Sequence, residues 1–322
     1  MKKYLLLCSL LLVLVIANIL SGSAAISVRE VWAAVTGTGS ISEAHRYILL
    51  HSRIPAAVVA ALTGAALSEC GLVLQSYFRN PLAGPSILGI TSGANLAVAV
   101  VMLMGVISPA ALTLSALVGA MAVLLLLLVL SRWIRQALTL LIIGVLLSYL
   151  VSAIITLLNY YATADGVQSY MIWGMGNFGG VGSENLGFYC GVILMGLALT
   201  ILLIKPLNGW LLGTDYARSL GISPSRTRFL VLLSTGILAA VTTAYCGPIS
   251  FVGLSVPHLA RLAFRSDDHR QLLPATALLG AILTSLCLLL STLPAEGRLL
   301  PINALTPVFG VPVVLYVLLR RK

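Results

Sequence analysis

Ten runs of apolar residues, each near the ~20 residues that a helix needs to cross a bilayer, dominate this 322-residue chain. They lie at approximately 4–21, 54–77, 86–106, 109–131, 137–161, 186–205, 227–246, 249–264, 272–293 and 304–319. The eighth is short and broken by Pro257. Only 9% of the residues are charged and 59% are hydrophobic, where a soluble domain carries roughly 25% charge. One buried core cannot absorb that much apolar surface, so the bilayer takes the rest. The expected fold is all-α: a polytopic membrane protein of about ten transmembrane helices, forming one transmembrane domain over residues 1–322.

The first run resembles a secretory leader, with Lys2-Lys3 ahead of it and SGSAA behind. Its apolar stretch, Tyr4 to Leu20, exceeds the ~7–15 residues of a signal core, so a retained helix is expected. Residues 1–52 then form the first helix and a periplasmic segment, and 53–322 form the core.

Ten spans put both termini on one side, and charge assigns that side to the cytoplasm. With that orientation Lys2, Lys3, Arg79, Arg132, Arg135, Lys205, Arg218, Arg226, Arg228, Arg261, Arg265, Arg270, Arg320, Arg321 and Lys322 lie inside. Only Arg29, Arg46, Arg53 and Arg298 lie outside, the asymmetry that the positive-inside rule demands. The net charge of +10 is thereby explained by the membrane, with no nucleic-acid partner. The location expected is the inner (cytoplasmic) membrane, in contact with lipid. The five cysteines sit in or beside apolar runs without a CxxC pair and read as small hydrophobes.

Several runs carry Gly, Ala and Ser at close spacing, as in TGAALSECG, which suits closely packed helices. Two connections stand out. Gln75 to Asn95 (QSYFRNPLAGPSILGITSGAN) interrupts two helices with prolines and glycines, irregular backbone that protein or water must cover. Lys205 to Arg228 is the longest cytoplasmic loop, and its DYARSLG piece suits a short helix ended by Gly221. Its basic charge reads either as topology alone or as a docking surface for a soluble partner. The second and seventh runs enter from opposite sides, each opened by an arginine and each leading to a Pro-containing break, a weak echo of inverted repeats.

Glu69 is the one acidic residue inside a predicted span. It reads as a polar contact in a translocation path, as a proton-coupled site, or as an interhelical hydrogen bond. In CGPISFVGLSVPHLARLAFRSDDHR, His258 follows Pro257 and precedes a charge cluster. A zinc site needs three or four converging ligands and a general base needs a substrate or nucleophile within reach; neither surrounds His258 in sequence. Pro257 disrupts the helix, and His258 and Arg261 share one face, so the three read as a mechanical brace for the coupling loop or as a contact with a partner.

No filter-like repeat suggests a channel, and no paired mid-membrane acids or Ser–His set suggests an intramembrane enzyme. A P-loop requires GxxxxGK[ST], and none of the four lysines follows a glycine. No catalytic residue, metal or cofactor is expected on this chain.

Five stretches, in order, carry a resemblance: RIPAAVVAALTGAALSECGLVLQSYFRNPLAGPSILGITSGA, IWGMGNFGGV, LGTDYARSLGI, GPISFVGLSVPHLARL with DDHRQLLP, and LPINALTPVFGVP. From about Arg53 onward the chain resembles the FecCD-type permeases, the membrane subunits of type II ABC importers for iron–siderophore complexes, haem and cobalamin. The resemblance implies a homodimer, two separate ATPase subunits that bind ATP and Mg, and a solute-binding protein. It implies a cytoplasmic gate at Asn80 and Leu82 and ATPase coupling through Asp215, Ala217, Arg218, Leu220 and Gly221. It implies docking of the binding protein by Arg53, with Arg298 a second candidate. The chain departs from the family pattern at Ala56, Leu299 and Asn303, where an arginine, an acidic residue and a glycine are usual. An iron complex is the expected cargo, cobalamin the alternative, and an ion-coupled secondary transporter the less favoured class.

Overall fold

The structure, a computed structural model, describes residues 2–22, 24–37, 41–106, 108–134, 136–293 and 300–320. Among these residues there are helices and connections and no strand. Helix α1 is Lys2–Leu20, α2 Val28–Thr36 and α3 Glu43–Ile48. A π-helical turn, Leu49–Arg53, carries α3 directly into α4, Ile54–Phe78. After a 3₁₀ turn at Pro85–Leu88 come α5 (Ile90–Leu103), α6 (Pro109–Trp133), α7 (Ala137–Tyr161) and α8 (Ala164–Gly174). Then follow α9 (Ser183–Ile201), α10 (Ile204–Leu211), α11 (Thr214–Ser219) and α12 (Pro224–Cys246). The chain closes with α13 (Val252–Phe264), α14 (His269–Ser291) and α15 (Ile302–Arg320).

Each of the ten apolar runs falls on one of these helices. Seven are long and apolar enough to cross a membrane, while α5, α13 and α15 are shorter apolar helices. Thirteen residues of α13 rise only about 20 Å at 1.5 Å each, short of a ~30 Å hydrocarbon layer. Non-helical backbone at 247–251 precedes α13, and a comparable stretch at 79–84, followed by the 3₁₀ turn, precedes α5. Helices α2, α3 and α8 were not legible as separate elements in the apolar pattern.

Helix α4 is the axis of the bundle. It is apolar all round and buried along most of its length, as expected of a helix surrounded by others, whereas α1 and α7 expose broad apolar faces such as Leu5, Leu6, Leu146 and Leu150. Its principal neighbours are α14, α13, α12 and α9. Two of these crossings are backbone against backbone. A Cβ on Gly64 would collide with the Gly280 carbonyl and the Thr284 hydroxyl, and one on Gly71 would collide with the Gly253 carbonyl. With no hydrophobic force between helices in lipid, such close approach supplies the dispersion contact that holds them. Helix α13 runs through Pro257 without the break expected there; Gly253 lies four residues before that proline, which has no N–H to offer its carbonyl, so the missing helical bond and the α4 crossing meet at one point.

Polar side chains tie the layers. Asn18 of α1 donates to the Ser285 carbonyl at 2.9 Å, and Thr284 donates to the Ala60 carbonyl at 2.7 Å. At the opposite end from the basic loops, Ser27 caps α2 in a reciprocal box: the Glu30 N–H donates to Ser27 Oγ at 3.3 Å and the Ser27 N–H to Glu30 Oε2 at 2.8 Å.

Candidate functional site

The last turn of α4 is where the bundle gathers its polar links. Gln75 Nε2 donates to the Leu254 carbonyl of α13 at 3.1 Å, and Gln75 Oε1 accepts from Arg261 Nη1 at 2.7 Å. Ser76 Oγ lies 2.7 Å from His269 Nε2 at the start of α14. The Tyr77 hydroxyl accepts from Arg228 Nε of α12 at 3.0 Å, and its ring stacks on Trp210 of α10 with centroids 5.6 Å apart. Arg79 Nη2 donates to the Trp210 carbonyl at 2.5 Å. Gln75, Ser76, Tyr77 and Arg79 thus anchor one turn of helix to α10, α12, α13 and α14.

The protonation pattern around His269 follows from its partners. Asp268 Oδ1 can only accept, so the Asn208 atom 2.6 Å from it is Nδ2, which leaves Asn208 Oδ1 facing His269. That oxygen accepts from the His269 N–H at 2.9 Å and from Nδ1 at 2.7 Å, so Nδ1 carries the hydrogen and Nε2 accepts from Ser76. The Arg270 N–H that Asp268 accepts, then the Asn208 amide, hold the Asp268 carboxyl below the usual range. The chain Ser76–His269–Asn208–Asp268 therefore fixes α10 to the ends of α4 and α14.

The expected gate loop begins where α4 stops. Arg79 takes a left-handed conformation, φ 50°, that turns the chain out of the helix. Asn80 Oδ1 accepts from the Leu82 N–H at 2.9 Å, closing a side-chain turn that leaves Leu82 exposed. The next link is the one that gives His258 its place: its Nε2 donates to the Pro81 carbonyl at 2.9 Å. Arg261, one turn on, bridges Gln75 and Asp267, whose carboxylate lies 3.8 Å from Arg261 Nε. His258 and Arg261 tie α13 to the 79–83 loop and to the end of α4, with Pro257 one residue before His258.

The expected coupling segment is a short helix, α11, seated on α10. Gly213 (φ 119°) and Gly221 (φ 78°) bracket it in conformations that favour glycine. Ala217 is fully buried against Gly209 and Ile222, so it seats the helix and presents nothing outward. Asp215, Tyr216, Arg218 and Leu220 are exposed; Asp215 and Arg218 approach to 3.6 Å, an exposed pair of little energetic weight.

Arg53, expected at the outer surface, turns inward. Its guanidinium is buried and donates to the carbonyls of Ile19 (3.1 Å), Leu20 (3.0 Å) and Ala24. The last carbonyls of α1 have no helical donor, and the five N–H groups of an arginine satisfy several at once. Arg53 locks α1 to the start of α4. Arg298 lies outside the described residues.

Glu69 sits deep in α4, and Thr200 Oγ1 of α9 lies 2.5 Å from its Oε2. The same hydroxyl lies 2.6 Å from the Leu197 carbonyl, and its single hydrogen serves one acceptor at a time. The contact joins α4 to α9. Among the described residues no three His, Cys, Asp or Glu side chains gather as a metal site would require.

A bundle of this kind, with a polar hub at one end joining an exposed short helix to an irregular loop, has relatives. Residues 10–320 match the FecCD transport family. The chain belongs to that family. It is 34% identical to the hemin transport system permease protein of Yersinia pestis over 325 aligned residues, covering 97% of this chain and 94% of that one. It is 37% identical to the vitamin B12 import system permease protein of Klebsiella pneumoniae over 84% of this chain and 82% of that one. A solved structure described as an inward-facing ABC transporter of metal-chelate type superposes with a TM-score of 0.86 at 31% identity, covering 100% and 99% of the two chains. The protein is a multi-pass transport permease of the inner membrane.

Within this FecCD protein, Asn303 is the residue whose importance the sequence hid. Its Nδ2 donates to the carbonyls of Gly174 (2.8 Å) and Pro248 (2.5 Å), and its Oδ1 accepts from the Ser250 N–H at 3.1 Å. It stitches α15 to the end of α8 and to the 247–251 break. Gln75, Ser76, Tyr77, Asn208 and His269 were missed as well; the signal that could have found them is a polar triplet closing an apolar run, QSY, matched by DDH opening another.

Proposed function

We propose that this chain is the membrane-spanning subunit of an ATP-driven importer that carries an iron complex, iron–siderophore or haem, into the cytoplasm by alternating access. The names of its relatives support that cargo class, and the hemin permease match runs over nearly the whole chain. The observation that carries the mechanism is the last turn of α4, through which α10 and the gate loop share one rigid attachment. ATP is hydrolysed on a separate ATPase, two copies of which serve a homodimer of this chain. The exposed face of α11, with Asp215, Tyr216, Arg218 and Leu220, is what the ATPase grips. Closure of the ATPases moves α11, α10 follows because Ala217 and Gly209 seat them together, and Trp210 and Asn208 pass the displacement to Arg79 and His269. The Asn80–Leu82 turn then shifts with the end of α4 while His258 keeps its register. A solute-binding protein delivers the cargo on the far side.

The test is reconstitution of the chain with its ATPase and binding protein in proteoliposomes. ATP-dependent uptake of a radio-iron haem or siderophore complex is expected, and uptake that persists without the ATPase would overturn the reading. The similarity to B12 permeases favours one second reading, a cobalamin cargo. Labelled cyanocobalamin in the same vesicles separates the two, because the cognate binding protein accepts only one.

A further inference from the structure

Helix α1 emerges beside the C-terminal end of α13 and the start of α14, and the three enclose a cavity of about 550 Å³ lined by Lys2, Lys3, Tyr4, Phe264 and Gln271. Its walls are fixed. The Tyr4 and Phe264 rings lie 5.0 Å apart, and the Tyr4 hydroxyl donates to the Gln271 carbonyl at 2.9 Å. Lys3 Nζ donates to the Ala263 carbonyl at 2.8 Å and sits 5.5 Å from the centre of the Phe264 ring. Lys2 is exposed at the rim, and Arg265 and Arg270, neighbours in sequence of the lining residues Phe264 and Gln271, are exposed too.

Of the acids in the same connection, Asp268 is engaged elsewhere and Asp267 is exposed. Asp267 approaches Arg261, and Asp268 caps α14 and accepts from Asn208. The cavity is left with a cationic rim over an aromatic floor. Below it, α1 exposes Leu5, Leu6, Leu10, Leu12 and Val13, an apolar track. Basic pockets between helices, at the surface where anionic lipids concentrate, hold lipid headgroups. A small soluble anion would gain nothing from the aromatic walls or the track.

We propose that this cavity binds the headgroup of an anionic phospholipid, with the ammonium groups of Lys2 and Lys3 on the phosphate and an acyl chain along the exposed face of α1. Bound lipid stiffens the α13–α14 connection, which carries Arg261, Asp268 and His269 of the hub. The orientation rests on the basic end facing the anionic leaflet; lipid occupancy itself does not depend on what the protein transports.

The purified full-length chain, exchanged into phosphatidylglycerol or phosphatidylcholine and examined by native mass spectrometry, provides the test. Phosphatidylglycerol is expected to be retained preferentially, and the Lys2→Ala/Lys3→Ala protein to hold it roughly ten- to thirtyfold less tightly, since each lysine near an anionic surface contributes about fivefold. Lys2→Arg/Lys3→Arg is expected to keep the lipid. Gln271→Trp, which fills the cavity and leaves both lysines, is expected to lose it. Equal retention by wild type and the alanine variant, full retention by Gln271→Trp, or displacement by millimolar inorganic phosphate would each overturn the proposal. If the lipid binds as expected while ATP-dependent uptake fails, the importer reading falls and this one stands.

Discussion

His258 Nε2 donates to the Pro81 carbonyl at 2.9 Å, joining residues 177 positions apart. The bond holds the gate loop to the half-span α13, so His258→Ala leaves a carbonyl without its donor, at a cost of about 1–3 kcal/mol. Transport is expected to fall several-fold while assembly with the ATPase is kept, and ATP hydrolysis is expected to become less dependent on loaded binding protein. His258→Gln retains a donor and should recover part of the coupling. An alanine variant with wild-type uptake per ATP consumed would remove His258 from the mechanism.

Gly71 crosses Gly253, whose carbonyl lacks a helical donor because Pro257 has no N–H. A methyl group there has no room unless α4 and α13 separate, and overpacking of this kind costs about 1–3 kcal/mol. Gly71→Ala is expected to lower the thermal midpoint of the detergent-solubilised protein, and Gly71→Leu to abolish the monodisperse peak in size-exclusion chromatography. Gly182, whose added Cβ would meet nothing within 4 Å, is the control and should accept alanine with no loss.

These two sites mark the limit of what the sequence made legible. The apolar runs and the short helix ended by Gly221 follow from local rules of length and punctuation, whereas the break expected at Pro257 does not form: α13 continues through it and only the Gly253 carbonyl lacks its helical donor. That His258 reaches Pro81 depends on the register of α4 against α13, which the Gly71–Gly253 crossing sets through backbone contact; a pattern of apolar residues carries no such register. The partners of Arg53 are hidden for a related reason. Its position at the outer end of a span is visible in the sequence, but the carbonyls of Ile19, Leu20 and Ala24 that claim its guanidinium arrive from a different helix and its following turn. Helices α2 and α8 are too short for a spanning run, so neither stood out.

Thr200 of α9 donates to Glu69 of α4, an interhelical hydrogen bond. Glu69→Gln supplies donor and acceptor in the same shape and is expected to leave expression, melting temperature and uptake near wild type. Glu69→Ala leaves Thr200 with one partner and a small void, and should lower stability by roughly 1–3 kcal/mol in a thermal-shift assay. Loss of uptake in Glu69→Gln at normal expression would turn the tie into a functional carboxylate.

Outside the membrane, Glu30 accepts from the Ser27 N–H and lies 2.8 Å from His45 Nδ1, and these bonds depress its carboxyl to about 2. A carboxylate with a lowered folded-state pKa stabilises the fold above its ordinary value of 4.5, and that contribution is lost as pH falls from there toward 2. Amide exchange in α2, corrected for intrinsic rate, is therefore expected to be flat from neutral pH to about 5 and to quicken below it. Glu30→Gln should flatten that acid limb. An unchanged limb in the variant would assign it to other groups.

Asn303 binds three backbone groups at once, Gly174 and Pro248 as acceptors and Ser250 as donor. The segment it holds, 247–251, is non-helical backbone between two spans and contains Phe251 at φ 65°, a conformation bulky side chains rarely adopt. Without Asn303 the carbonyls of Gly174 and Pro248 lose a shared donor and the strained turn loses its anchor. Asn303→Ala is expected to speed amide exchange at Ser250 by about five- to a hundredfold, the equivalent of about 1–3 kcal/mol of local opening. Protection at Tyr77 and His269, at the far end of the bundle, should stay unchanged in the resting protein. Asn303→Gly, which removes the side chain but permits a tighter approach of α15, should fall between the two. Unaltered exchange at Ser250 in the alanine variant would show that the turn is held by α13 packing alone.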